Sequence, residues 1–180
     1  YLHEPDKTHF KTEEQAAAPS ASLLGQVCHS VLEKIDFKSK GIDALLSAAC
    51  ARLAREYPAA DWEGISRQGR EFLSSFLSYS AWRVFAGSDI LGREVPFVCE
   101  RSGQVLRGSM DLLYRDKGKV WVVDYKTSRV GPGGASEQAA RYAEQGRAYV
   151  DALKKSTGLE CGFKVVFLRT GEIVEVLGSN

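Results

Sequence analysis

This 180-residue chain lacks several features that would place it in a familiar class of protein. Its apolar runs stay well below the ~20 residues that span a bilayer, and no basic segment followed by an apolar stretch opens it. The sequence therefore predicts neither a membrane protein nor a secreted one. A G-x-x-x-x-G-K-[ST] loop is also missing, so we expect no ATP site in this chain.

The four cysteines also argue against a protein with a cysteine-ligated metal site, because none of them forms a C-x-x-C pair. Isolated cysteines argue against a zinc ribbon or a clustered iron–sulfur site. We expect them to be buried or idle thiols in a reducing cytoplasm.

The composition is that of a soluble globular domain, with 44% hydrophobic and 26% charged residues. The net charge of +1 is small for a protein that binds nucleic acid. Positive charge is concentrated in the last ninety residues, which a bound cation would make more positive still. Ordinary solvated surface charge explains the same distribution equally well.

Residues 1–21 are polar and read as a linker or tail from a longer polypeptide, since the chain begins at Tyr1, and residues 22–180 as one domain. Ser22 is the predicted cap of the first helix. The apolar periodicity predicts helices over residues 22–35, 42–57, 63–85 and 136–155, and strands over residues 90–100, 105–114, 119–126, 162–169 and 172–177. This order predicts a mixed α/β sheet with helical cover.

Two aspartates and a lysine carry the most chemical information. Asp111 and Asp124 fall on neighbouring predicted strands, and Lys126 points the same way as Asp124 because strand side chains alternate. The preceding run Val120–Val123 is typical of a strand buried on both faces, where charge is costly unless it is compensated. A divalent cation, bound by the carboxylates and the Tyr125 carbonyl, would compensate it.

Such a cation would polarise a phosphodiester oxygen and lower the pKa of a bound water. Lys126 would then orient the attacking water or neutralise charge in the transition state. The alternative interpretation is an exposed ion pair between Asp124 and Lys126 at a strand end.

Four short motifs occur in an order that resembles the PD-(D/E)XK nuclease core, in particular the RecB-type nuclease domain of RecB and AddA helicase–nucleases, whose motors are of the UvrD/Rep type. They are Gly25-Gln26-Val27-Cys28-His29, Gly108-Ser109-Met110-Asp111, Asp124-Tyr125-Lys126-Thr127 and Gln145-Gly146-Arg147-Ala148-Tyr149. A register that uses Gln138 and Tyr142 also fits the last motif.

The resemblance implies a restriction-endonuclease-like αβββαβ core with an N-terminal helical segment. It implies Mg²⁺, replaceable by Mn²⁺, bound by His29, Asp111, Asp124 and the Tyr125 carbonyl, with Lys126 as a catalytic residue. Residues expected beside the site, or in contact with DNA, are Gln145, Tyr149, Tyr142, Glu94, Arg129 and Arg147, together with the weaker phosphate candidates Arg141, Lys154 and Lys155. For Glu94 a structural or DNA-side role is preferred to metal ligation.

Some relatives in this superfamily carry a four-cysteine iron–sulfur cluster after the last motif. Only Cys161 lies there, so we expect no cluster, and the RecB/AddA branch fits better.

The resemblance also implies a deoxyribonuclease module of an exodeoxyribonuclease V-like helicase–nuclease, which repairs double-strand breaks in the bacterial cytoplasm. Its partners would be single-stranded DNA ends, the helicase portion of the same polypeptide and a second subunit. Two alternatives stay open: a stand-alone structure-specific nuclease, and an inactive DNA-binding or scaffolding module of the same fold.

Overall fold

The structure is a computed structural model that describes residues 7–9, 19–39, 41–79, 81–101 and 103–178. In chain order, its helices and strands are β1 (Lys7–His9), α1 (Pro19–Lys34), α2 (Asp43–Glu56), α3 (Trp62–Ser78), α4 (Ala81–Gly87), β2 (Asp89–Arg101), β3 (Gln104–Asp116), β4 (Lys119–Lys126), α5 (Ala135–Ala140), α6 (Ala143–Thr157), β5 (Cys161–Phe167) and β6 (Glu172–Leu177). Within this described part of the chain, no helix is both long and apolar enough to cross a membrane.

The strands form one mixed sheet, which confirms the predicted fold class. Strand β3 is central: β2 pairs with it antiparallel along its whole length, and β4 pairs antiparallel with its C-terminal half. Strand β5 runs parallel to β4, and β6 closes that side antiparallel to β5. A parallel neighbour requires a crossover connection, and helices α5 and α6 supply it.

The sheet separates two apolar cores, so the molecule has three layers. Alternate residues of β4 enter opposite cores: Trp121, Val123 and Tyr125 face helices α1 to α4, whereas Val120 and Val122 face α5 and α6. The continuous apolar run of β4 is therefore explained by burial on both faces.

A tight hairpin turn joins β3 and β4. Lys117 and Gly118 both have positive φ, 49° and 80°. Two successive residues with positive φ make the turn whose twist matches that of the flanking strands.

Strand β1 lies within the stretch predicted as a tail. Lys7–His9 pairs in parallel with Val105–Arg107 of β3, so at these residues the prediction of an unpacked tail is wrong. The prediction of Ser22 as a helix cap is also wrong, because α1 already begins at Pro19. The remainder of residues 1–18 lies outside the described part of the chain.

Two predicted helices are each divided in two. The helix predicted over residues 63–85 ends at Tyr79, whose extended backbone (φ −75°, ψ 154°) separates α3 from α4. The helix predicted over residues 136–155 is interrupted at Arg141 and Tyr142, between α5 and α6. Apolar periodicity continues across both breaks, so it gives no signal of either.

Candidate active site

A gap in the pairing of β3 forms the centre of the site. Strand β2 occupies one edge of β3 throughout, so β1 and β4 share the other edge. Pairing with β1 ends at Arg107 and pairing with β4 begins at Leu112. The four residues between these points are Gly108-Ser109-Met110-Asp111, so among the described residues this motif is the stretch of β3 that neither strand covers.

Asp111 closes one end of this gap with its side chain. The backbone N–H of Tyr125 donates a hydrogen bond of 2.6 Å to Asp111 Oδ2. This bond satisfies an amide that would otherwise lie buried without a partner where β3 and β4 separate. The other carboxylate oxygen, Oδ1, remains directed at His29, 3.3 Å from its Nδ1.

His29 reaches the same point from α1. Its Nε2 lies 3.1 Å from the carbonyl oxygen of Tyr125, and its ring meets that of Tyr125 edge-on. Helix α1 is fixed in this orientation by apolar residues on its core face, including Leu24, Val27 and Val31. Thus three groups expected to bind metal, His29, Asp111 and the Tyr125 carbonyl, do converge.

Glu94, for which the sequence favours a structural or DNA-side role, lies beside this group. One ligand atom each from His29, Glu94 and Asp111 lies within 4.8 Å of the others. Glu94 has a φ of 46°, a conformation that residues with a Cβ rarely adopt and that carries backbone strain. Burial, and then the neighbouring Asp111, raise the pKa of the Glu94 carboxyl.

Asp124 and Lys126 form a buried ion pair on the α6 side of the sheet. Lys126 Nζ lies 2.6 Å from Asp124 Oδ2, and both side chains are almost fully buried. This excludes the alternative of an exposed pair at a strand end. Burial raises the pKa of Asp124 to about 6, an effect that the Lys126 ammonium opposes and Asp111 reinforces.

Helix α6 supplies the polar support of this pair. Gln145 Nε2 donates to Asp124 Oδ1 at 3.2 Å and to the Tyr149 hydroxyl at 2.6 Å. Gly146 allows α6 to lie this close to β5, since a Cβ at this position would overlap the ring of Phe163 on β5. Of the two possible registers of the last motif, the one that begins at Gln145 therefore places the glutamine side chain in contact with the Asp124–Lys126 ion pair.

The break between α5 and α6 also has a consequence for the site. Tyr142, at the start of α6, presents its ring to Lys126, with Nζ 4.5 Å from the ring centroid. An aromatic face attracts a cation, so the ring holds the ammonium beside Asp124.

A cavity of about 710 Å³ opens over these residues. Its lining includes Gln26, His29 and Ser30 of α1 and residues of the β2–β3 hairpin. Asp111, Asp124, Lys126, Gln145 and Tyr149 also line it and are called its floor.

The arginines predicted to contact phosphate do not belong to this cavity. Arg129 and Arg147 are absent from its lining, and Arg147 is bound to Glu144 instead. Two other arginines, Arg52 and Arg107, do line it. Sequence reasoning missed both, because Arg52 lies on a helix outside the motifs and Arg107 precedes a motif without being part of it.

The donor set suits a hard divalent cation. Glu94 and Asp111 offer carboxylate oxygens close to an imidazole nitrogen of His29, and the Tyr125 carbonyl lies beside the same ring. The Asp124 carboxylate is not part of this close group and contacts Lys126 and Gln145. These are ligands that Mg²⁺ and Mn²⁺ accept. A cation would also compensate the electrostatic cost of placing acidic groups together at low exposure.

Comparison with known sequences adds three findings. The profile of the PD-(D/E)XK nuclease superfamily matches residues 2–174. An ATP-dependent helicase/nuclease subunit from Streptococcus sanguinis is 30% identical over 170 residues, which cover 89% of this chain and 13% of that protein. The protein of the same name from Acetivibrio thermocellus is 28% identical over 160 residues, covering 80% of this chain and 12% of that protein.

Among solved structures, a Eubacterium rectale protein assigned as an exonuclease superposes with a TM-score of 0.57 at 14% identity. The match covers 89% of this chain and 60% of that one, and shows a common fold. The chain spans only 12% to 13% of the length of the two curated relatives described above.

Proposed function

This chain belongs to the PD-(D/E)XK nuclease superfamily, and from that premise we propose that it hydrolyses phosphodiester bonds of DNA with the help of Mg²⁺. The observation that carries the proposal is the convergence of His29, Asp111, Asp124 and Lys126 at the floor of one cavity. These residues come from three elements, and packing alone does not require their charged groups to meet.

His29, Asp111, Asp124 and the Tyr125 carbonyl would hold the cation, with Mn²⁺ as a substitute for Mg²⁺. When bound, the cation would supply Lewis-acid polarisation of the phosphodiester and a water of lowered pKa. The protein contributes position: the Asp111–Tyr125 hydrogen bond sets the spacing of β3 and β4, and Gln145 fixes the orientation of the Asp124 carboxylate.

Lys126 has the second chemical role in this proposal. Its ammonium is held by Asp124 on one side and by the ring of Tyr142 on the other. From there it donates a hydrogen bond toward the attacking water or a phosphoryl oxygen. A buried ammonium stabilises developing negative charge more strongly than a solvated one, because little water competes for it.

We further propose that this chain is the nuclease domain of a helicase–nuclease. The two described relatives are named as subunits of such proteins, and the match covers most of this chain. Its partners would then be DNA ends, a helicase portion of the same polypeptide and a second subunit. The process would be repair and recombination of double-strand breaks in the bacterial cytoplasm.

The direct test is cleavage of end-labelled single-stranded DNA by the 180-residue chain. We expect cutting with Mg²⁺, none with EDTA, and none from Asp124→Ala or Lys126→Ala. An Asp151→Ala variant, which changes an exposed carboxylate of α6, serves as the matched control and should cut normally. Continued cutting by a clean Asp124→Ala preparation would reject the proposal.

A further inference from the structure

Two arginines face the cavity from separate elements. Arg52, on α2, is hydrogen-bonded to Ser30, the residue after His29 on α1, and Arg107 lies four residues before Asp111 on β3. Both line the same cavity as the acidic residues. A phosphodiester strand bound in this cavity would come within reach of guanidinium groups from two separate elements.

Arg52 is held toward the cavity by two neighbours. Its Nη2 donates a hydrogen bond of 2.9 Å to Ser30 Oγ on α1, and its Nη1 lies 3.8 Å from Glu56. The side chain nevertheless remains 53% exposed. Since a guanidinium has five N–H donors, these contacts orient the group and leave donors for a ligand.

Arg107 occupies the end of the gap in β3. It is the last residue of β3 that pairs with β1, and Gly108, which lacks a side chain, follows it at the cavity wall. Its side chain is exposed, and no carboxylate among the described residues forms an ion pair with it. Arg147, by contrast, lies outside the cavity and is paired with Glu144.

The charge distribution explains why such groups are needed. The carboxylates on the floor repel the phosphates of a strand wherever no cation neutralises them. Guanidinium groups bind phosphate oxygens through two parallel hydrogen bonds, independently of base sequence. We infer that Arg52 and Arg107 bind the phosphates that flank the scissile phosphodiester and so fix the strand across the site, an inference that rests on the proposed function.

The test is binding of fluorescein-labelled oligo(dT) and oligo(dA), each of about twelve nucleotides, followed by anisotropy. Ca²⁺, another cation that takes oxygen ligands, replaces Mg²⁺, and gels confirm that the probe stays intact. The variants are Arg52→Gln, Arg107→Gln, the double variant and, as matched control, Arg147→Gln. Arg52→Lys and Arg107→Lys retain charge without the guanidinium fork, and circular dichroism confirms that each variant is folded.

Each single variant should weaken binding by about three- to tenfold, the effect of one exposed charge-assisted contact. The loss should be equal for the two oligonucleotides, and the slope of log Kd against log salt should fall by about 0.7 per arginine. The double variant should combine both losses, the lysine variants should regain part of them, and Arg147→Gln should bind like the wild type.

Two contrary outcomes are distinguishable. If the wild type cuts DNA with Mg²⁺ but Arg52→Gln and Arg107→Gln bind like Arg147→Gln, the inference is overturned and the proposed function stands. If the wild type neither binds nor cuts DNA, both are overturned.

Discussion

The backbone N–H of Tyr125 is hydrogen-bonded to the side chain of Asp111 rather than to the backbone of β3. The two residues lie where β3 and β4 separate: Asp111 is one position beyond Leu112, and Tyr125 is two positions beyond its partner Val123. The Asp111 carboxylate therefore has two roles: Oδ2 accepts the hydrogen bond that links β3 to β4, and Oδ1 faces His29. Fold and site are coupled through this residue.

This double role predicts different effects for two substitutions of Asp111. Asparagine retains an acceptor for the Tyr125 amide, so Asp111→Asn should unfold near the wild-type denaturant midpoint. Asp111→Ala leaves that buried amide without a partner and should lose about 1–3 kcal/mol of stability. Both should lose Mn²⁺ binding, measured by calorimetry, whereas Asp151→Asn should keep it. Equal stability of the asparagine and alanine variants would contradict the structural role.

The buried ion pair of Asp124 and Lys126 predicts a strongly non-additive double-mutant cycle. Lys126→Met leaves a buried carboxylate without its partner and should cost about 3–5 kcal/mol in metal-free protein near neutral pH. An Asp124→Leu/Lys126→Met variant removes both charges and should recover most of that loss. Urea denaturation in EDTA measures both effects.

The matched control for this cycle is an exposed ion pair. Lys154 pairs with Glu160 at the surface, so Lys154→Met should leave the unfolding midpoint nearly unchanged. If Lys126→Met behaved like Lys154→Met, the side chains of Asp124 and Lys126 would have to be solvated rather than buried.

The raised pKa of Asp124 predicts how metal binding depends on pH. Burial raises this pKa from 3.8 to about 6 in the folded protein, so the folded state binds more protons than the unfolded state in that window. The contribution of Asp124 to stability is therefore present below about pH 4 and is lost as the pH rises through about 6. A cation must displace that proton at low pH but not at high pH.

The measurement is the rise in melting temperature on addition of Mn²⁺, compared at about pH 5 and about pH 7.5. We expect a larger rise at the higher pH. The Asp124→Asn variant has no proton to displace at this position, so its response to Mn²⁺ should be smaller and less dependent on pH. An equal rise at both pH values in the wild type would contradict the prediction.

Much of this arrangement follows from residue patterns within single elements. The period of two in β4 correctly places Asp124 and Lys126 on one face, and the apolar run before them correctly indicates burial on both sides. The spacing of Gln145 and Tyr149 correctly predicts that they share a helix face, where they are in fact hydrogen-bonded. These features depend on local geometry, which the sequence contains directly.

The features that sequence reasoning missed depend on tertiary contacts. Glu94 has a left-handed backbone conformation and its carboxylate lies near His29 and Asp111. Because the residue is not a glycine, the sequence gives no indication of that conformation. Strand β1 has only three residues and pairs with a strand almost a hundred positions away, so no local pattern predicts it. Arg52 belongs to the cavity only because α2 packs against α1.

The ring of Tyr142 provides the last prediction, because its contact with Lys126 exists only where α5 and α6 are interrupted. Tyr142→Phe keeps an aromatic face over the ammonium, so its kcat for DNA cleavage with Mg²⁺ should stay within about threefold of the wild type. Tyr142→Leu fills similar space without that face, and its kcat should fall by about tenfold while KM changes little, since in the proposed function Lys126 acts on the transition state rather than on strand binding. If the ring had only a structural role, Tyr142→Phe and Tyr142→Leu would be equally active once folded. The measurement is kcat and KM of both variants on one oligonucleotide, at a temperature where melting curves show that both are folded. The comparison decides whether Tyr142 positions the ammonium.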